Sequence, residues 1–262
     1  MKKFLCLLFL TSLFLLTGCA LEPKETQEQD ILKMAKERGY FIVGVSEDSK
    51  PFGYIDPKTG KPTGFEIDIA KRLAKAEFGD ENKVQFVKSS GFQSIAMVSE
   101  GKVDFVISVM TITPQRMMTV DFSDPYYTTG QTIVVKNNSP IKTVKDLNYR
   151  KVMVRLTSTA EKTPKKYAPA SILIGYKSRQ ECYDAFARGE AEAMVSDDAL
   201  LKGFLMDYKG YKILPQKLSV EYYGIAFKAT PEASSLKRFI NSELVQMRTD
   251  KTFEKLKKKW NV

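Results

Sequence analysis

The 262-residue sequence predicts an α/β protein of two lobes, and three observations carry that prediction. Strand and helix signals alternate along most of the chain, the succession that builds a mostly parallel sheet. Residues 103–109 (VDFVISV) form a nearly continuous apolar run of strand length, as expected of a parallel strand covered on both faces. A helix–glycine–strand unit ending in GKVDFVIS at 101–108 is echoed by one ending in GEAEAMVS at 189–196, so each half of the chain carries the same device.

The elements follow in order. Lys2 and Lys3 precede an apolar stretch from Phe4 to Leu16, and LTGC closes it at 16–19. A basic start and a short apolar run define an export signal, too short to span a bilayer comfortably. LTGC resembles the lipobox of bacterial lipoproteins: residues 1–18 are expected to leave as a signal peptide, and Cys19 to become an acylated, palmitate-bearing N-terminus. An ordinary secretory leader with an incidental cysteine is the alternative. Residues 19–30 are polar and poor in apolar side chains, as in a tether. Next come a strand at 41–45, a turn-rich loop at 56–64 (DPKTGKPTG), a helix at 65–78, a strand at 84–87, a helix at 92–100 and the apolar strand at 103–109. The second half has strands at 151–154, 172–176 and 192–195 and helices at 159–167, 179–188 and 198–206. Ser178 and Glu181 form a capping box there. A terminal amphipathic helix carries Lys255, Lys257, Lys258 and Lys259 on a solvated face, and Trp260 packs it down.

Composition removes several classes of function. The chain has no histidine, which excludes Ser-His-Asp triads, the usual zinc sites and imidazole acid–base chemistry. No metal motif is visible and no cofactor is called for. Of the three cysteines, Cys6 lies in the leader and Cys19 is acylated, so Cys182 has no partner for an internal disulfide. Stability must then come from core burial, and the exported chain is long enough for two lobes of about 100 residues each. The formal charge of +10, two units of it on Lys2 and Lys3, suits an anionic surface or solute. The lysines are scattered, which disfavours nucleic-acid binding.

Residues 111–127 (TITPQRMMTVDFSDPYY) come directly after the apolar strand. In open α/β sheets ligands bind beyond the carboxyl ends of the strands, where helix N-termini gather. Pro114 suits a first helical turn, and Arg116, two residues into it, offers a planar fork that matches a carboxylate. Thr111 and Thr113 add hydroxyls. Beyond the equivalent strand of the second half stands Asp197. If the lobes face each other across a cleft, Arg116 takes an α-carboxylate and Asp197 an α-ammonium, which together specify an amino-acid zwitterion. Each residue also has a plainer reading. Arg116 can be a surface ion-pair member contributing about 0–1 kcal/mol, and Asp197 a helix N-cap. Asp121, Asp124 and Pro125 can be a turn, and Tyr126 and Tyr127 packing between lobes.

The segments GFEIDIAKRLAK at 64–75, TITPQR at 111–116 and DFSDPYY at 121–127 resemble the family-3 extracellular solute-binding proteins, the polar amino-acid binding components of ABC importers. The likeness runs from about Ile31 to the final KKKW. It implies a type II periplasmic-binding-protein fold, two α/β lobes joined by a two-strand hinge with a ligand cleft between. Lobe I would comprise 31–126 and 223–262, lobe II 132–220, with hinges near 127–131 and 221–222. The resemblance further implies a monomer, lipid-anchored on the extracytoplasmic face of the cell membrane, that closes on a small polar amino acid and delivers it to an ABC permease. The family's carboxylate-binding arginine matches Arg116, with Thr111 and the Val109 backbone beside it. The second-lobe loop matches RLTSTA at 155–160, placing Thr159 near the same carboxylate. The ammonium-binding aspartate matches Asp197, and Ser46, Ser49, Phe52 and Phe92 fall near positions that line the side-chain pocket in relatives. Many relatives have glycine where Thr157 stands, which points to a loop that binds less closely through its backbone. Some acidic-amino-acid binders carry arginine near the Ser94 position, absent here, whereas Arg155 enters the cleft at a side-chain-reading position. With TPKKY at 163–167 and ECYDAF at 181–186, glutamate, glutamine or aspartate is the expected ligand.

Two other readings use the same scaffold. A prephenate or arogenate dehydratase would need a carboxylic acid in the cleft. Glu47 and Glu161 are the nearest candidates, but neither has a visible base or nucleophile partner, so no catalytic residue is assigned. A sensory or adhesin lipoprotein would use the binding fold without a transporter.

Overall fold

The computed structural model describes residues 29–89 and 91–262. The leader, Cys19 and all of the tether but its last two residues lie outside the described residues, as does the side chain of Phe92. Two five-stranded sheets organise the rest. In the first, the order is Val84–Lys88, Phe41–Val45, Phe105–Ile107, Ala226–Lys228, Val120–Phe122. The first three strands are parallel, and Ala226–Lys228 runs antiparallel to both of its neighbours. In the second, the order is Ile172–Tyr176, Lys151–Arg155, Ala193–Asp197, Gln131–Lys136, Tyr211–Ile213. Again three parallel strands meet a returning antiparallel one. The sequence echo is therefore an echo of sheet position: Phe105–Ile107 and Ala193–Asp197 are the middle strands of their sheets.

Both middle regions are apolar on both faces for the same geometric reason. Successive residues of a strand point to opposite sides. Phe105 and Ile107 pack with Phe41, Phe65 and Ile240 on one side of the first sheet, while Val106 packs with Val98 and Val120 on the other. In the second sheet Val152 and Val154 join Ile133 and Val195, while Met153 joins Phe186 and Phe204. The strand expected at 103–109 is shorter than its apolar run. At one end the Asp104 carboxylate takes the Ile42 N–H at 2.7 Å, and at the other Val109 turns to φ 44°. The helix expected at 159–167 is divided into a 3-10 turn, Thr159–Glu161, and a short helix, Thr163–Tyr167, because Pro164 has no N–H to continue a helix from the preceding turn. The capping box of Ser178 and Glu181 opens the helix Arg179–Ala187. Trp260 Nε1 donates to Asp68 at 2.7 Å, pinning the last helix, Thr252–Trp260, to the helix Phe65–Phe78.

A two-stranded antiparallel ribbon, Tyr127–Thr129 with Glu221–Tyr223, passes between the lobes. The lobes also touch away from it. Ala199 and Leu200 of the second lobe pack into the first lobe's core, and Lys50 pairs with Asp207 across the boundary at 2.8 Å. At Gly203 a Cβ would stand 1.9 Å from the Lys50 carbonyl oxygen, so this approach is open to glycine alone. No helix among the described residues is long and apolar enough to cross a membrane.

Candidate ligand-binding site

Beyond the middle strand of the first sheet the chain leaves through Val109, whose φ of 44° is an outlier for a β-branched residue and costs about 1–3 kcal/mol. Glu66 holds it there. Its Oε1 accepts the Val109 N–H at 2.6 Å and also the Tyr126 hydroxyl. Burial pushes the Glu66 carboxyl up to about 7 in spite of those two bonds, and Oε2 has no partner among the described residues. Thr113 caps the helix Pro114–Met117 by accepting the Arg116 N–H at 3.2 Å. The Arg116 side chain then folds back, and Nη1 donates to the Thr111 carbonyl at 2.7 Å. Arg116 is half-buried and forms no salt bridge among the described residues, unlike a surface ion-pair member. Burial lowers its pKa, while Glu221 and Asp197, the carboxylates it faces, raise it.

Asp197 approaches from the second lobe as the last residue of the middle strand. It does not cap the helix Asp198–Asp207 that follows. Instead its carboxylate is buried and accepts the Tyr223 hydroxyl from the hinge ribbon. Burial, with the nearby Glu221 charge, pushes Asp197 up to about 6. Val109, Thr111, Arg116, Arg155, Thr159 and Asp197 all border one narrow space of about 20 Å³, the room of about one water molecule. An amino acid therefore reaches it only by parting the lobes. A larger groove of about 1040 Å³ lies along the flank, beyond the wall made by Arg116, Ser158 and Thr159. The opposed charges converge on the small space, and the groove shares only that wall.

Two residues at the centre escape sequence reasoning. Glu221 lies on the hinge ribbon, and its Oε2 accepts both the Thr111 hydroxyl at 2.8 Å and the Thr159 hydroxyl at 2.9 Å. Its Oε1 accepts from Gln131 Nε2 and from Ser219 Oγ at 3.1 Å. One carboxylate thus ties a threonine of each lobe to the ribbon between them. Arg179, also bordering the space, reaches the first lobe twice: its backbone N–H donates to Asp48 Oδ2 at 3.0 Å and its side-chain Nε to Ser49 Oγ at 3.1 Å. Its only sequence signal is a position just inside a helix start beyond a strand end, which many arginines share.

The remaining expected positions sit elsewhere. Phe52 is a correction: it is fully buried against Phe65, Tyr127 and Tyr223, so it builds the core beneath the hinge and does not line the pocket. Ser46 and Ser49 stand one layer behind the space, their hydroxyls 2.6 Å apart, holding Asp48 and Arg179. Thr157 takes the left-handed backbone that glycine favours, at φ 63°, held by its N–H donating to Glu161 Oε2 at 2.7 Å. Glu161 is engaged in that loop, and Glu47 pairs with Lys88 at 3.2 Å. Among the described residues no cluster of three or more acidic or cysteine side chains is placed to hold a metal.

With this geometry in place, the comparison with known proteins is direct. Residues 41–262 match the bacterial extracellular solute-binding proteins, family 3. The chain belongs to that family, one of solute-binding proteins rather than enzymes, and has the type II periplasmic-binding-protein fold. It is similar to the ABC transporter glutamine-binding protein GlnH of Bacillus subtilis, 34% identical over 99% of this chain and 97% of that one. It is 39% identical to the glutamine-binding protein of Geobacillus stearothermophilus, over 84% of this chain and 89% of the relative. Among solved structures, the cysteine-binding protein of Campylobacter jejuni superposes with a TM-score of 0.81 at 30% identity, covering 88% of this chain and 92% of that one.

Proposed function

We propose that this chain binds a polar L-amino acid, with glutamate, glutamine or aspartate favoured, and delivers it to an ABC permease by closing its lobes. The observation that carries the reading is the meeting of Arg116 from one lobe and Asp197 from the other at a single narrow space. An α-carboxylate and an α-ammonium are the groups that such a pair satisfies together. Similarity to two glutamine-binding proteins and a cysteine-binding protein supports an amino acid as the ligand class. Arg155 and Arg179 at the same space oppose a cationic side chain. Lobe I, 31–126 with 223–262, and lobe II, 132–220, would swing about hinges at 127–131 and 221–222. Only the closed arrangement satisfies both ends of the zwitterion, so the ligand shifts the population toward closure. Acylated Cys19 would hold the protein, as a monomer, on the extracytoplasmic face of the membrane. A thermal-shift screen with the twenty amino acids tests the binding. At a thousandfold excess over Kd the ligand adds about 4 kcal/mol, or roughly 10 °C in Tm for a chain of this size. Glutamate, glutamine or aspartate should raise Tm and lysine and arginine should not. A Tm unmoved by all twenty would overturn the reading.

A further inference from the structure

We infer that Arg155 and Arg179 form a carboxylate-reading end of the narrow space between the lobes, so that the ligand is an acidic amino acid rather than its amide. The inference rests on the zwitterion reading and narrows it. Both arginines border the space together with Arg116 and Asp197. Arg155 stands at the end of the strand Lys151–Arg155, beside the strand that carries Asp197. Its Nε is shut off from solvent and has no acceptor among the described residues, and its guanidinium lies in no salt bridge among them. Buried guanidinium nitrogens are normally hydrogen-bonded, and an unmet one is costly. The lobes approach closely at this end: at Gly91 of the first lobe, φ 56°, a Cβ would stand 3.2 Å from Thr157 Oγ1 and 3.6 Å from Arg155 Nη2.

The charges around Arg155 are unbalanced. Arg179 and Arg116 face it with like charge, against one carboxylate, Asp48, and burial with those two cations brings its pKa down to about 10. Asp48 is itself committed, accepting the Arg179 N–H and, at 3.0 Å, the Ser46 hydroxyl. Glu221 faces Arg116, and its oxygens are filled by four donors. Asp197 is reserved for the ammonium. Arg179 cannot swing away, since its Nε is fixed to Ser49 across the lobe boundary. A side-chain carboxylate set against these two forks offers acceptors alone. The amide of glutamine or asparagine brings no charge and one acceptor oxygen where the carboxylate brings two, so it cannot fill both forks, and sites built on such pairing discriminate strongly.

Calorimetric titration of the exported chain with the pairs glutamate/glutamine and aspartate/asparagine, for the wild type and Arg155→Gln, tests this. The acid of at least one pair should bind about tenfold or more tightly than its amide. Arg155→Gln should weaken the acid by more than about tenfold and the amide far less, so the ratio collapses. Should that variant not fold by circular dichroism, Arg155→Lys, which keeps the charge and loses the fork, should narrow the same ratio. An amide that binds the wild type as tightly as its acid, or a ratio unchanged in a folded variant, overturns this inference alone. Failure of all four to bind overturns this inference, and the zwitterion reading falls with it only if the other sixteen amino acids also leave Tm unmoved.

Discussion

Replacing Arg116 by alanine removes the group on which the binding account turns, and the structure sets the size of the effect. The bond from Nη1 to the Thr111 carbonyl, 2.7 Å, joins residues five apart in one segment and involves no ligand atom, so its contribution of about 1 kcal/mol is assigned to stability, not to affinity. What affinity loses is the forked partner of the α-carboxylate in a half-buried position that already faces Glu221 and Asp197. In Arg116→Ala the ligand carboxylate would enter against those two carboxylates without the fork placed to meet it. Truncating one partner of a buried charge pair costs about 2–5 kcal/mol, a rise in Kd of roughly 30-fold to several thousandfold. Arg116→Lys, with the charge but not the fork, should fall between the alanine variant and the wild type. Isothermal titration measures both, with thermal melts of the unliganded proteins to establish folding. A folded Arg116→Ala variant with a Kd within about threefold of the wild type would refute the reasoning.

Three further outcomes follow from the same geometry. Burial and the Glu221 charge hold Asp197 near about 6, and only its ionised form pairs with an ammonium, so affinity should climb with pH up to about 6 and level off above it. Titrations from pH 5 to 8 should show that rise, and Asp197→Asn should be weak and flat throughout. Glu66, raised by burial from 4.5 to about 7, contributes stability that is fully present below about pH 4.5 and lost as pH rises through about 7, roughly 3 kcal/mol in all. Urea unfolding at pH 5 and pH 8 should reveal that loss in the wild type, and Glu66→Gln should lack it. Gly203→Ala should wedge the lobes, because its Cβ would lie 1.9 Å from the Lys50 carbonyl and close-packed surfaces do not yield that distance. Its affinity should fall about tenfold or more, and small-angle scattering should show no compaction with ligand.

The path from sequence to site was uneven for physical reasons. Apolar runs bounded by turn formers located both middle strands, since a strand covered on two faces has to be apolar throughout. Arg116 and Asp197 were legible because strand ends in α/β sheets gather ligand groups, and the repeated unit put them at matching ends. Val109 could not be seen as strained, because its backbone is set by a bond from Glu66, 43 positions away. Phe52 misled: an aromatic residue in a loop before a helix looks like a pocket wall, yet three rings from the hinge and core enclose it. Glu221 and Arg179 stayed hidden because their partners, Thr111, Thr159, Asp48 and Ser49, come from the opposite half of the chain or the opposite lobe. No local pattern announces such a meeting.

The central claim is that one space between the lobes reads both ends of an amino acid, Arg116 the carboxylate and Asp197 the ammonium. Calorimetric comparison of L-glutamate with 2-oxoglutarate, which lacks the ammonium, and 4-aminobutyrate, which lacks the α-carboxylate, tests it most directly. The account predicts that glutamate binds and that each analogue is weaker by roughly 100-fold or more. Binding of either analogue as tightly as glutamate would contradict it.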